Sequence, residues 1–230
     1  MLTPALIAMF AGALIQGTIG FGSALVVAPI LVTTDPALLP GASMFAALFI
    51  TLHVWWRERG SVDAAFVGWA TIGRVPGMVI GLTILKDLDV ESMEMLVGLI
   101  VMMGVLISLS GWKVEVRRRS ILITGLVSGI AGTTTSAGGP PLALLSQNWP
   151  GPKLRGTLNA YFTISILTTL PFLHLIDRFN MRELVAGLLF IPVIWIGMVA
   201  SGFLIPHINQ QWSRSLVLSF SGASAVWLLL

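Results

Sequence analysis

The chain has no cysteine, which excludes a disulfide scaffold, thiolate chemistry and cysteine-ligated metal sites. It is also short of charge. Charged residues fill 10% of its 230 positions, whereas a soluble domain carries about 25% to keep its surface wetted. The net charge of +3 is scattered over short linkers, so no basic groove for nucleic acid is expected. Asp and Glu are missing from the middle of every apolar stretch, leaving no carboxylate there to relay a proton or hold sodium. Hydrophobic residues are abundant, at 56%, and 24 glycines and 12 prolines interrupt them. This is the composition of a polytopic membrane protein.

A bilayer core about 30 Å thick takes roughly 20 apolar residues in a helix. Eight apolar segments of about that length or more are present, at 4–32, 38–56, 63–85, 93–112, 121–147, 157–176, 184–205 and 213–230. Short polar linkers separate them, among them Arg57-Glu58-Arg59-Gly60 and Lys113 to Arg119. Trp55, Trp56, Trp112, Trp149 and Trp212 flank linkers, where amphipathic rings favour the headgroup layer. The first segment lacks a basic leader and is too long for a secretory signal, so it reads as a membrane element. His53 and His174 fall near segment ends and His207 in a linker, which reads as interfacial placement.

The chain repeats itself at half its length. Gly12-Ala-Leu-Ile-Gln-Gly17-Thr-Ile-Gly20 echoes Gly125-Leu-Val-Ser-Gly129-Ile-Ala-Gly132, and each is followed by small residues and proline. The expected fold is all-α: two homologous four-segment units, 1–112 and 121–230, joined by a basic cytoplasmic linker, 113–120. The first segment of each unit is broken, by Gly17-Thr-Ile-Gly-Phe-Gly22 and by Gly132-Thr-Thr-Thr-Ser-Ala-Gly-Gly-Pro-Pro141. A continuous helix would lose about 1 kcal/mol per glycine and about 3 kcal/mol per interior proline. Irregular backbone inside a bilayer is tolerated where protein buries it or where it lines a wet cavity. The two breaks are therefore expected to face each other. Re-entrant first segments are favoured over full crossings, because each unit then crosses three times and the repeats become inverted.

A broken helix presents free N–H groups and the positive end of its dipole, which suits an anion. Candidate substrate-binding residues at the breaks are Gln16, Thr18, Gly20, Gly22 and Ser23, and then Gly132, Thr133, Thr134, Thr135, Ser136, Gly138 and Gly139. Arg74 joins them. It lies eleven residues from both Asp63 and Lys86, so near mid-bilayer, where a charge marks a pathway or a buried partner. Its competing role is to bond carbonyls freed by Pro76. Gln16, Gln147, Asn148 and Asn159 also suit helix–helix hydrogen bonds. For a hydrolase, the sole nucleophile and base set is Ser23 with His53 or His174, which stand at the wrong depth.

At Gln16-Gly-Thr-Ile-Gly20-Phe-Gly22-Ser-Ala-Leu-Val-Val-Ala-Pro29 and Gly129-Ile-Ala-Gly132-Thr-Thr-Thr-Ser-Ala-Gly138-Gly139-Pro140-Pro141 the sequence resembles the sulfite exporter family TauE/SafE. The resemblance implies transport of sulfite, sulfonates or related organic anions across a prokaryotic inner membrane. Many members have a more glycine-rich second break than Thr133-Thr-Thr-Ser. A transporter without enzymatic activity, cofactor or metal is expected, with the bilayer and a small anion as partners and a homodimer as the candidate assembly. An anion channel or an uptake permease is the alternative.

Overall fold

The computed structural model describes residues 2–110, 114–205 and 210–229. Trp112, His207 and the Trp212 side chain lie outside what is described. The described residues contain no strand and ten α-helices. They are α1 (Leu2–Ile19), α2 (Ser23–Thr34), α3 (Gly41–Arg57), α4 (Ala64–Lys86) and α5 (Val90–Leu109). Then follow α6 (Arg118–Thr135), α7 (Gly139–Ser146), α8 (Gly151–Leu175), α9 (Met181–Leu204) and α10 (Gln210–Leu229). Helices α4, α5, α8 and α9 are long and apolar enough to cross a membrane. Large side chains such as Ile72, Val79, Leu189 and Phe203 stand exposed on their surfaces, as lipid contact requires.

The acids and amides excluded from the apolar runs collect at helix starts. Asp63 accepts from the Phe66 amide at 3.0 Å to cap α4, and Asp89 accepts from the Ser92 amide at 2.8 Å to cap α5. Asn180 and Glu183 cap α9 reciprocally. Asp63 also pairs with Lys153 at 2.9 Å, and the Asp63 amide donates to Thr157 Oγ1, tying the start of α4 to α8. Hydrogen bonding to Lys153 is the main cause holding the Asp63 carboxyl below its ordinary range. A depressed carboxyl pKa stabilises the fold above the unfolded value of about 3.9 and loses that contribution as pH falls through the folded value. Asn at position 63 keeps the cap and removes the pair. We therefore expect Asp63→Asn to melt slightly below the parent at neutral pH, by no more than about 1 kcal/mol for so exposed a pair. The gap between the two melting curves should close below about pH 4; a gap that widens in acid would refute this account.

Both broken segments fold back on themselves. Gln16 on α1 meets Ser23 on α2, and Gly12 meets Val27, so these two helices run antiparallel. After α6 the chain turns at Ser136, and Gly138 comes back against Ser128 and Gly132. The two turns differ in backbone. Gly20 and Gly22 carry φ of 103° and 100°, in a region that side chains disfavour, whereas Ser136 takes φ 63°. A three-residue turn, Gly20-Phe21-Gly22, thus reverses the first hairpin, and a serine in the left-handed region reverses the second.

Glycine seams set the rest of the packing. Gly73, Gly77 and Gly81 of α4 lie against Leu122, Leu126 and Ile130 of α6, so the two helices run parallel with backbones in contact. In the same way α1 runs parallel to α9, Gly17 meeting Ser201 and Gly197 meeting the Phe10 carbonyl. Helix α3 is antiparallel to α8: Gly41 lies beside Arg178 and Gly156 beside Glu58. Helices α5 and α10 are antiparallel too, Gly98 meeting Leu229 and Gly222 meeting Val105.

Candidate functional site

The two helix breaks are brought together. A Cβ on Gly139 would stand 3.6 Å from Phe21, which is ordinary contact. Between the breaks lies a cavity of about 80 Å3, several times the ~10–15 Å3 that one water needs. Of the residues singled out in the sequence, Gln16, Gly22, Ser23, Arg74, Gly132, Ser136, Gly138 and Gly139 line it. Its other walls are largely apolar, from Met9, Val27, Leu39, Met44, Ile50, Phe162 and Ile166. No acidic residue is among its lining residues.

Arg74 is 3% exposed on α4, the span whose glycine seam faces α6. Its Nη1 donates to the Ser128 carbonyl at 3.3 Å and its Nη2 to Thr169 Oγ1 at 3.0 Å. Its Nε is buried with no partner. The guanidinium sits 5.9 Å from the Tyr161 ring centroid. Gly132 makes room for it, since a Cβ there would approach Nη1 to 3.1 Å. The carbonyl it uses belongs to Ser128 on the neighbouring helix rather than to the turn opened by Pro76. A buried guanidinium with a spare donor beside a cavity can hold an anion's oxygen.

Serine hydroxyls line the same cavity. Ser43 and Ser136 lie 2.8 Å apart across the cavity wall, Ser165 Oγ is buried without a partner, and Ser23 donates to Gln16 Oε1. Gln16 Nε2 donates onward to Asn159 Oδ1 at 2.9 Å, the helix–helix bond expected of both amides. The α2 start, at Gly22 and Ser23, offers first-turn amides to the cavity. At the α7 start, Pro140 and Pro141 have no N–H, so the second break supplies fewer donors than its motif suggests.

Five of the expected residues do not line the cavity. Thr18 bonds the Leu14 and Ile15 carbonyls, Thr134 those of Ile130 and Ala131, and Thr135 that of Ala131. Thr133 is fully buried against Gly81, and Gly20 packs on Leu154 and Arg155. A threonine inside a helix returns its hydroxyl to the preceding turn, and here α6 stays helical through Thr135. Ser43, Ser128 and Ser165 are not among the expected residues: Ser43 and Ser165 sit singly on α3 and α8 with no motif around them, and Ser128 passes for one more small residue of the glycine repeat on α6. The sequence reading also left Arg57 and Glu58 as linker, whereas both are partly buried. Ser23 is bonded to Gln16, His53 lies edge-on to Trp195, and His174 Nδ1 pairs with the Phe179 carbonyl. The nucleophile and base set is not assembled.

The family model described as sulfite exporter TauE/SafE matches residues 5–228. Comparison with curated proteins and with solved structures finds no match. The matched stretch runs through both helix breaks, Arg74 and every wall of the cavity; this multi-pass membrane chain belongs to the TauE/SafE sulfite exporter family, a family of transporters.

Proposed function

We propose that the protein exports a small organosulfonate or related sulfur oxyanion across the prokaryotic inner membrane by alternating access. The observation that carries this is the buried Arg74 Nε, without a partner, beside the cavity that both helix breaks line. The serines and the α2 amides add neutral donors for tetrahedral oxygens, at no cost in buried charge. Met9, Val27, Met44 and Ile166 favour a substrate with an apolar substituent over bare sulfite. With no carboxylate in the lining, a zwitterion such as taurine would leave its ammonium unpaired.

The packing pattern supports inverted repeats of units 1–112 and 121–230, joined by linker 113–120. Exchanging α1–α5 for α6–α10 turns the α4–α6 pair into α9–α1, and α3–α9 into α8–α4. The pairs that map onto themselves, α3–α8 and α5–α10, are antiparallel, as a two-fold axis in the membrane plane requires. The hairpin geometry of α1–α2 and α6–α7 supports re-entrant elements. Arg57, Arg59, Arg117, Arg118, Arg119, Lys153 and Arg155 gather at one end of the bundle, against Lys86, Arg178 and Arg182 at the other. The basic end is the cytoplasmic one by the positive-inside rule. An interior-negative potential drives an anion outward by about 2.3 kcal/mol per charge per 100 mV, so export needs no coupled cation.

The test is a thermal-shift screen of the purified protein with sulfite, sulfate, thiosulfate, sulfoacetate, methanesulfonate and taurine. Methanesulfonate should stabilise most and taurine not at all. Equal stabilisation by sulfate and methanesulfonate would sink the role given to the apolar wall. No stabilisation by any anion would sink the transporter site itself.

A further inference from the structure

Beyond the cavity a pair of shielded cations, Arg57 and Arg155, is held on one carboxylate of the chain, Glu58. Arg57 ends α3, six residues or about 9 Å of helix past Thr51 on the cavity wall. Arg155, near the start of α8, faces it. Both guanidiniums share one oxygen of Glu58, Arg57 Nε at 3.3 Å and Arg155 Nε at 2.8 Å. The group is largely shielded, with the Glu58 and Arg155 side chains 13% and 10% exposed. Two cations against one carboxylate leave an excess positive charge, and Arg57 Nη1 is buried without a partner. The remaining donors reach the tip of the first hairpin: Arg57 Nη2 bonds the Gly17 carbonyl at 2.6 Å, and Arg155 Nη1 the Thr18 carbonyl at 3.5 Å. Asn159 Nδ2 holds the Gly20 carbonyl at 2.9 Å, and Gly22, two residues on, lines the cavity.

We propose that Arg57 and Arg155 form a cytoplasmic loading site for the oxyanion, with Glu58 as a tethered stand-in that the substrate displaces. The inference rests on the reading of the cavity as an anion pathway and adds a second station to it. A sulfonate oxygen can accept from both guanidiniums as the single Glu58 oxygen does, so the two compete for one position. The same arginines cap the α1 carboxyl-terminal carbonyls, where cations complement the helix dipole. An arriving anion that draws them away loosens the hairpin tip between the loading site and the cavity. Occupancy and opening are thereby coupled through two side chains.

The experiment titrates methanesulfonate into the purified full chain by isothermal calorimetry. The parent should show a single binding event, at the cavity. Glu58→Gln removes the competing charge and should add a second event, which Arg57→Gln in the same background should abolish. A folded Glu58→Gln protein with only the parent's event overturns the proposal, as does a second event that survives Arg57→Gln. If Glu58→Gln does not fold, Glu58→Asp keeps the charge on an arm one carbon shorter, and its second event should appear with weaker affinity; its absence also overturns the proposal. A reporter cysteine at Thr51 should react faster with an impermeant maleimide from the cytoplasmic side in Glu58→Gln than in the parent chain. Unchanged reactivity refutes the coupling to the tip. The cavity and the station fail separately: Arg74→Gln with Glu58→Gln should keep the Arg57 event unchanged and weaken only the cavity event, whereas loss of the cavity event with Arg74 intact counts against the proposed function alone.

Discussion

Arg74→Gln is expected to weaken methanesulfonate binding by about ten- to a hundredfold, the loss of one charge-assisted hydrogen bond at about 1.5–3 kcal/mol. Glutamine ends where Arg74 carries Nε, two bonds short of the Nη atoms, so it gives up the bonds to the Ser128 carbonyl and Thr169 while its aliphatic stem keeps part of the local packing. What it cannot supply is the positive charge beside the cavity, even though its amide falls where the unpartnered Nε stands. Arg74→Lys restores the charge as a point without the planar fork and should recover part of the affinity. The measurement is the dissociation constant in the folded fraction, read separately from the melting temperature. Equal affinity in Arg74→Gln and the parent would reduce this arginine to a helix–helix tie. The opposite pattern, normal binding by Arg74→Lys with none by Arg74→Gln, would make the charge alone sufficient.

Gly77→Val is expected to prevent assembly of the α4–α6 pair. A Cβ on Gly77 would fall inside contact distance of the Leu126 carbonyl oxygen, and that carbonyl belongs to a helix backbone that cannot rotate away. Gly129, facing it from α6, leaves a Cβ only 2.6 Å from the Arg74 carbonyl, so neither side can yield. Overpacking a close seam ordinarily costs about 1–3 kcal/mol, and a branched side chain against rigid backbone on both sides should reach or exceed the top of that range. Arg74 sits one turn from Gly77, so a splayed seam also removes the cation from the cavity. The check is yield and monodispersity of the membrane-extracted protein, with Gly68→Val as the control. Gly68 lies on the same helix with open space beside it and should accept valine without loss. If both variants behave like the parent, the glycine seam is not what holds α4 to α6.

Low charge and long apolar runs determined the class of this protein, because a bilayer admits only segments that satisfy their own backbone. Clustered glycine and proline determined where helices must stop, and the stops at Ile19 and Thr135 fall inside those motifs. Arg74 was legible for the same reason: an uncompensated charge in an apolar run is costly enough to demand a purpose. The hydroxyls were not legible. Thr133, Thr134 and Thr135 belong to the motif, yet α6 stays helical to Thr135 and turns them to its own carbonyls or into packing. Ser43 and Ser165 belong to no motif, Ser128 passes for one more small residue of the glycine repeat, and all three reach the cavity because three separate helices present them there. Glu58 and Arg155 stand 97 positions apart and read as loop charges until antiparallel packing of α3 on α8 joins them. Local pattern carries what each segment costs in lipid, a property of that segment alone. Which polar groups meet is decided by helix direction and rotation, set by glycine seams between segments far apart in the chain, and only the tertiary structure holds that information.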